Sequence, residues 1–196
     1  MNKLAIFGSS GHAKDIALTY RENKKNSEII FIEPNQELSI VRELSEKNFG
    51  FVIGIGDNRA RKQLADRYTS LRWESVISRR AFLPSDLKLG VGVFIGFGVY
   101  LSHNVKIDDH VIINCNSIVG HDAVVSRFAQ VSPGVCIGGN GVNLGEGAFI
   151  GPNATIINRP IEIGEWSKVG IASVVAGNIP PNTLHQMVYK NVSLGI

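Results

Sequence analysis

Aliphatic residues recur at every sixth position through the middle of the chain. Stepping by six gives nine in a row, namely Leu89, Ile95, Leu101, Ile107, Ile113, Val119, Val125, Val131 and Ile137. At roughly a quarter to a third aliphatic content, chance produces such a run on the order of once in ten thousand or less. The next position is small or turn-forming, as at Gly90, Gly96 and Asp108. A repeated short strand and tight turn with one inward side chain predicts a triangular parallel β-helix, with three hexapeptides per coil.

The repeat slips by one residue near Gly141 and again near Pro160. It resumes after each slip, first at Leu144, Ile150 and Ile156 and then at Ile163, Val169 and Val175. We therefore predict fifteen hexapeptides, or about five coils, with a bulge at each slip. A prism of this kind has open ends, so we expect the N-terminal part of the chain to cap one end and the Pro180-Pro181 tail the other.

The first eighty residues follow a different pattern, in which short apolar runs alternate with polar stretches. Runs at 4–7, 29–32 and 51–55 predict strands, and residues 13–21 and 59–68 have helical periodicity. Repeated strand–turn–helix units predict a small parallel α/β sheet of the Rossmann-like type. We divide the chain into an α/β domain, residues 1–80, and an all-β parallel β-helix domain with a C-terminal tail, residues 81–196.

The composition excludes several functional classes. The net charge is only +3 and basic residues are scattered, so no nucleic-acid footprint stands out. Cys115 and Cys136 are the only cysteines, and we interpret them as buried thiols in a reducing compartment. No run of eighteen apolar residues occurs. We expect a cytoplasmic protein without nucleic-acid partners or membrane insertion.

His121 and Asp122 are the adjacent residues best suited to general-base catalysis. Histidine titrates near neutral pH and is the usual base for an attacking amine or hydroxyl. A neighbouring carboxylate can orient the ring and stabilise the imidazolium. From spacing alone, a surface histidine at a turn beside a solvated aspartate is an equally acceptable interpretation.

Four segments of the sequence carry a resemblance to a known family. They are residues 6–14 (IFGSSGHAK), 54–62 (GIGDNRARK), 113–122 (INCNSIVGHD) and 179–182 (IPPN). Together with the repeat, they resemble the bacterial nucleotide-sugar N-acetyltransferases and the related sialic acid O-acetyltransferases. These are left-handed β-helix acyltransferases with an N-terminal Rossmann-like domain.

The resemblance implies an acetyl-CoA-dependent enzyme that acetylates the amine of a nucleotide-linked 4-amino-deoxy sugar in surface-glycan biosynthesis. It also implies a homotrimer with active sites between subunits. The candidate aromatic residues to cover the exposed β surface in such a trimer are Phe94, Phe97, Tyr100, Phe128 and Phe149. No metal is expected, because His103 and His121 occupy the third slot of their hexapeptides and His110 the fourth, which does not match a three-histidine zinc site.

The resemblance also assigns roles to individual residues. It makes His121 the general base and Asp122 its acidic partner, with direct acetyl transfer and no covalent intermediate. The acetyl-CoA positions that it implies are Asn114, Gln130, Gly139, Pro152 and Ile171, and the backbone N–H of Gly139 would serve the thioester oxygen. The nucleotide-sugar positions that it implies are Gly8, Ser9, Ser10, Gly11, His12, Glu33, Gly56, Asp57 and Asn58. Without the resemblance, the glycine-containing loops are equally consistent with ordinary βα turns, and they lack the three-glycine dinucleotide fingerprint.

Gln130 departs from the family, which usually has a second histidine at this position near the thioester. Glutamine forms hydrogen bonds but does not titrate. An alternative function, O-acetylation of a sialic or other nonulosonic acid, therefore stays open. A non-catalytic trimeric scaffold is the alternative from a different class of protein.

Overall fold

The computed structural model describes residues 2–33 and 37–186. It begins with a three-stranded parallel sheet in the order β2-β1-β3. Its strands are β1 Lys3–Phe7, β2 Glu28–Ile32 and β3 Gly50–Ile53, and its helices are α1 Gly11–Asn23, α2 Glu37–Glu46 and α3 Asn58–Arg67. The predicted α/β topology is confirmed. The sequence analysis missed α2, which is the next described element after β2.

The remaining strands form a left-handed parallel β-helix, as predicted. The first sheet contains β4 Val76–Ile77, β6 Phe94–Ile95, β9 Ile112–Ile113, β12 Gln130–Val131, β15 Phe149–Ile150, β18 Lys168–Val169 and β20 Leu184–His185. The second contains β7 Tyr100–Leu101, β10 Ile118–Val119, β13 Cys136–Ile137, β16 Thr155–Ile156 and β19 Val174–Val175. The third contains β5 Lys88–Leu89, β8 Lys106–Ile107, β11 Val124–Val125, β14 Val142–Leu144 and β17 Ile161–Ile163.

The β-helix has about six coils rather than the predicted five. Its first strand is Val76–Ile77, which pairs with Phe94–Ile95. The sequence already indicated this additional coil, because Leu83 and Ile77 continue the six-residue repeat upstream of Leu89. Ile77 and Leu83 both pack against the aliphatic core inside the prism.

Both predicted register slips lie in the third sheet, where they widen two neighbouring strands to three residues. Val142 pairs with Ile161, and Leu144 with Ile163, so the two extra residues lie side by side. The inward side chains stay in register because one bulge is matched by the next.

Three edges connect the sheets. We call the turns from the first sheet to the second the first edge, those from the second to the third the second edge, and those from the third back to the first the third edge. Many of these turns hold a residue with positive φ, such as Asn104, Asn116 and Asp122, with φ values of 55°, 56° and 60°. Asn and Asp tolerate this left-handed conformation better than most residues.

The α/β domain does not cap an end of the prism as expected. It packs sideways on the first sheet, whose outward residues Val76, Phe94 and Ile112 join the cluster formed by α1, β1 and β3. Phe128 is likewise buried beneath the domain. Phe94 and Phe128 are therefore not available to cover a subunit interface, because the α/β domain already covers them.

Candidate active site

His121 and Asp122 lie together on the second edge, between β10 and β11. His121 Nδ1 is 2.7 Å from Asp122 Oδ2. A carboxylate only accepts hydrogen bonds, so Nδ1 carries the proton in this contact. The other ring nitrogen, Nε2, is then the one with a lone pair for an incoming proton.

The preceding coil supports this pair. Asn104 Nδ2 donates to Asp122 Oδ1 at 2.6 Å, and the His103 ring stacks on His121 with 5.1 Å between centroids and 4° between planes. The hydrogen bond from His121, and next that from Asn104, lower the pKa of Asp122 below its ordinary value. Asp122 therefore stays ionised and keeps the His121 ring oriented.

Within the described residues, His103, His121 and Asp122 form a group that could hold a metal ion. Their ligand atoms lie within 4.8 Å of one another. The two imidazole rings are parallel, however, so they do not converge on a single point between them, and Asp122 already accepts two hydrogen bonds. The expectation of a metal-free site stays a prediction.

Gly139 lies directly beneath His121, one coil further along the second edge. A Cβ atom added at Gly139 would come within 2.6 Å of His121 Cδ2 and 2.8 Å of Nε2. Only glycine leaves the imidazole in its observed position. Among the described residues, the N–H of Gly139 donates no backbone hydrogen bond, as at the equivalent turn positions of other coils.

The other predicted coenzyme residues lie elsewhere on the prism. Asn114, Pro152 and Ile171 follow strands of the first sheet and so share the first edge. Gln130 points outward from the first sheet. Within a single chain, these residues therefore do not lie beside His121, since they occupy a different edge.

The predicted nucleotide-sugar loops meet at one edge of the α/β sheet. Gly8 to His12 follow β1, Glu33 follows β2, and Gly56 to Asn58 follow β3. These are the carboxyl ends of parallel strands, where ligands of open α/β sheets bind. Gly8 has a φ of 91°, and its N–H donates to Ile32 O at 2.9 Å.

The two helix N-termini in this region are capped differently. Asp57 caps α3 by accepting a hydrogen bond from Ala60 N at 2.8 Å. Ser10, the N-cap of α1, makes no side-chain capping hydrogen bond. The start of α1 is therefore the end that retains unpaired donors for an anion.

His12 is turned into the protein rather than toward solvent. Its ring meets Phe94 edge-on, with 5.0 Å between centroids. Burial, and next the charge of Arg61, lower the pKa of His12 to about 4. His12 is therefore neutral at pH 7 and supplies no positive charge to a bound phosphate.

A cavity of about 450 Å³ lies between the start of α3 and the lower coils. The sequence analysis had assigned Gly56, Asp57 and Asn58, all of which line it, to the nucleotide sugar. It did not assign the remaining lining residues to the nucleotide sugar, although it had named Phe149 as a candidate to cover a subunit interface. They are Arg59, Gly147, Phe149, Trp166, Lys168, Asn182, Thr183 and Leu184.

Arg59 and Trp166 give this cavity a cationic and aromatic wall. The guanidinium carbon of Arg59 lies 4.5 Å from the centroid of the Trp166 ring. Lys168 adds a second cation. Aromatic surface beside positive charge suits a ligand that has both a flat ring and phosphate groups.

Comparison with known proteins agrees with this architecture. Residues 3–68 match the family model of the PglD N-terminal domain. No curated protein sequence matches the chain.

Solved structures cover nearly the whole chain. PerB from Caulobacter crescentus, in complex with CoA and GDP-perosamine, is 25% identical, with 95% of each chain covered and a TM-score of 0.88. A mutant of the GDP-perosamine N-acetyl transferase from the same organism, with the same two ligands, is 25% identical over 95% of this chain and 94% of that one, with a TM-score of 0.88. The acetyltransferase domain of PglB from Neisseria gonorrhoeae, in complex with acetyl coenzyme A, is 23% identical over 95% and 96%, with a TM-score of 0.88.

The chain thus shares the fold of β-helix acetyltransferases that have an N-terminal α/β domain. The resemblance to nucleotide-sugar N-acetyltransferases, inferred from the sequence, is confirmed by these matches. Among the described residues, no helix is long and apolar enough to cross a membrane.

Replacing Cys115 by serine is expected to leave the acetylation rate within about twofold of the wild type. Within one chain, Cys115 lies on the first edge and His121 on the second, so the thiol is not next to the base of its own chain that would activate it. Steady-state kinetics of Cys115→Ser, with circular dichroism to verify folding, measure this. A collapse of turnover in a folded variant would indicate a covalent acyl-enzyme.

Proposed function

We propose that this chain is an acetyl-CoA-dependent N-acetyltransferase that acts on the amino group of a nucleotide-linked amino-deoxy sugar. The observation that carries the proposal is the hydrogen-bonded His121–Asp122 pair on the second edge of a β-helix, in a fold shared over almost its whole length with acetyltransferases. The 25%-identical Caulobacter structures contain CoA and GDP-perosamine. Such a product fits surface-glycan biosynthesis in the cytoplasm.

The proposed reaction is direct. The sugar amine attacks the thioester carbonyl, the new C–N bond forms, and the C–S bond breaks to release CoA. His121 Nε2 takes the proton from the amine and passes it to the departing sulfur of CoA, while Asp122 holds Nδ1–H and stabilises the imidazolium. The N–H of Gly139 donates to the carbonyl oxygen as negative charge develops there.

A second copy of the chain completes this site in our proposal. Asn114, Pro152 and Ile171 lie on the first edge and His121 on the second, so the coenzyme residues of one copy would face the base of another. The second sheet offers the contact surface, because its outward residues Tyr100, Ile118 and Val174 are 44%, 45% and 51% exposed. The third sheet instead presents Lys88, Lys106, Asn143 and Glu162. Covering the apolar sheet fits a homotrimer.

Ile118→Asp is expected to convert the trimer to monomers and to lower the acetylation rate at least tenfold. A carboxylate in the centre of the apolar sheet would be buried without a partner in the assembly. Light scattering coupled to size-exclusion chromatography measures the mass. Lys88→Asp, on the polar third sheet, is the matched control and should remain trimeric. A wild-type monomer with full activity would contradict the shared site.

The cavity beside α3 is the proposed nucleotide site. Trp166 and Phe149 offer aromatic surface for a base, and Arg59 and Lys168 offer positive charge for phosphates. The loops after β1 and β3 open toward the same carboxyl edge of the α/β sheet. This arrangement supports an acceptor linked to a nucleotide rather than a free sugar.

A thiol-release assay tests the proposed function. Purified wild-type protein is incubated with acetyl-CoA and with UDP-, dTDP- or GDP-linked 4-amino-deoxy sugars, and free sialic acid serves as the acceptor for the alternative O-acetyltransferase. Turnover on a nucleotide-linked amine supports the proposal. Turnover on sialic acid alone would overturn it, and so would silence on every acceptor.

A further inference from the structure

His103 is an exposed histidine that the proposed mechanism does not use. It lies on the second edge, one coil before His121, because the strands that precede the two residues pair with each other. The two imidazole rings stack with 5.1 Å between centroids and 4° between planes. A ring nitrogen of each histidine and a carboxylate oxygen of Asp122 lie within 4.8 Å of one another. Two potential proton acceptors therefore lie side by side at the site.

The two rings are held in different ways. His121 Nδ1 is fixed by Asp122 Oδ2 at 2.7 Å, whereas His103 Nδ1 has a long contact of 3.4 Å with Ser102 Oγ. Among the described residues, His121–Asp122 is the only histidine–carboxylate pair within 4.0 Å. His103 is thus exposed to solvent and is not tied to a carboxylate, so a proton that it accepts can pass on to water.

The titratable groups that face His103 from the neighbouring coils are Asp86, His121 and Asp122. On the preceding coil, Asp86 Oδ2 accepts a hydrogen bond from Asn104 N at 2.9 Å. On the following coil, the pKa of Asp122 is lowered first by the hydrogen bonds from His121 and Asn104, and the charges of both histidines lower it further. The Asp122 carboxylate therefore stabilises a proton on either ring.

An amine acceptor has to lose two protons in this reaction. An amine with the pKa of an α-amino group, about 8, is roughly nine-tenths protonated at pH 7, and an ammonium nitrogen has no lone pair with which to attack a thioester. One proton therefore leaves before the C–N bond forms, and a second leaves afterwards. His121 passes the second proton to the sulfur of CoA, so it cannot at the same time hold the first. A hydroxyl acceptor, by contrast, loses only one proton.

The spacing of the coils allows one amine to reach both rings. Equivalent atoms on neighbouring strands are about 4.8 Å apart, and two acceptors at that spacing lie within about 3 Å of a common point outside the ring edges. The N–H bonds of an ammonium group diverge at the tetrahedral angle, so two of them can point toward the two rings from this position.

We infer that His103 is a second catalytic base, which takes the first proton from the acceptor ammonium and releases it to water before His121 takes the second. The N–H bond of the ammonium breaks, its electron pair stays on nitrogen, and the proton moves to a ring nitrogen of His103. Release to water comes before protonation of His121, because two adjacent imidazolium rings repel each other. The inference rests on the proposed function, because it requires an amine acceptor.

The pH dependence of His103→Phe tests the inference. Phenylalanine keeps a ring stacked on His121 but accepts no proton, so this variant uses only the unprotonated fraction of the acceptor. We expect its kcat/KM for the nucleotide-linked amine to be about tenfold below the wild type at pH 7 and within about twofold of it at pH 9.5. The KM for acetyl-CoA should change less than twofold. Initial rates of thiol release, corrected for hydrolysis of acetyl-CoA without acceptor, measure both quantities.

Three further variants make the test specific. His103→Gln, which forms hydrogen bonds but does not titrate, should show the same pH-dependent deficit. His185→Phe, on the first sheet, is the matched control and should follow the wild type at both pH values. His121→Ala should remain impaired at pH 9.5, because the second proton leaves only after the C–N bond has formed.

A His103→Phe variant that equals the wild type at pH 7 would overturn the inference. An equal deficit at both pH values would overturn it as well, by showing a structural role rather than proton transfer. In either case, a wild type that acetylates a nucleotide-linked amine leaves the proposed function intact. A wild type without turnover on any such amine would instead overturn the proposed function, and this inference with it.

Discussion

Replacing His121 by alanine is expected to lower kcat for acetyl transfer by about 100- to 10,000-fold, the usual contribution of a general base. The KM values for both substrates should change little, because the imidazole acts on the proton of the attacking amine rather than on the groups that bind the substrates. Steady-state kinetics with purified protein measure both quantities.

The matched control is His185→Ala, which removes a histidine from the last described strand, β20, on the first sheet rather than on the second edge. It should retain the wild-type rate. Asp122→Asn should give a smaller loss than His121→Ala, because the amide still contacts the ring but no longer stabilises the imidazolium. A His121→Ala variant that stays within threefold of the wild type would show that another group takes the proton.

The second large effect is a loss of stability in mild acid. Burial lowers the pKa of both His12 and His110 to about 4, against 6.5 in an unfolded chain. Between pH 6.5 and 4 the unfolded chain binds protons that the folded chain does not, so the free energy of unfolding falls as the pH falls through this window. At pH 4 the loss amounts to about 3 kcal/mol per histidine.

Urea unfolding at pH 7.5, 6, 5 and 4.5 measures this slope. The matched variant is His110→Phe, since the ring of His110 already stacks on Phe128 with planes 1° apart and its Nδ1 has no hydrogen-bond partner. Phenylalanine should preserve the packing and reduce the acid loss by roughly half, because one of the two histidines no longer titrates. An unchanged slope in His110→Phe would show that the protonation of His110 does not contribute to acid unfolding.

The repeat region was predictable because its geometry is periodic. The six-residue repeat identified the inward residues, and a single extra residue in the repeat indicated each bulge. A step of eighteen is one full coil, so it also places His103 above His121 and Asn104 above Asp122. The residues that support the catalytic pair could thus have been identified from the sequence, although the analysis of single motifs did not find them.

The position of the α/β domain was not predictable in the same way. Phe94 and Ile112 occupy outward slots of the repeat, and an apolar outward residue is equally compatible with a subunit interface and with a domain packed on the sheet. The burial of Arg61 had no signal at all, because an arginine in a helix of mixed polarity is normally exposed. Its partners are carbonyl oxygens of turns 49 and 67 residues away, which only the fold brings together.

The residues that line the cavity were likewise only partly predictable from the sequence. Gly56, Asp57 and Asn58 stand next to one another in the chain and were found as a loop. Trp166, whose ring contacts Arg59, lies two coils beyond the turn that contains Phe128. Contacts between a helix start and a distant turn depend on how the domain sits on the prism, which local patterns do not encode.

The most direct test of the central claim is the chemical identity of the product. Wild-type protein is incubated with acetyl-CoA labelled in the acetyl group and with the panel of nucleotide-linked 4-amino-deoxy sugars, and the product, separated from acetyl-CoA, is treated with alkaline hydroxylamine. The account predicts one labelled acetyl per CoA released, in an amide that resists hydroxylamine, and loss of this product in His121→Ala. A label released by hydroxylamine would reveal an ester and contradict N-acetylation.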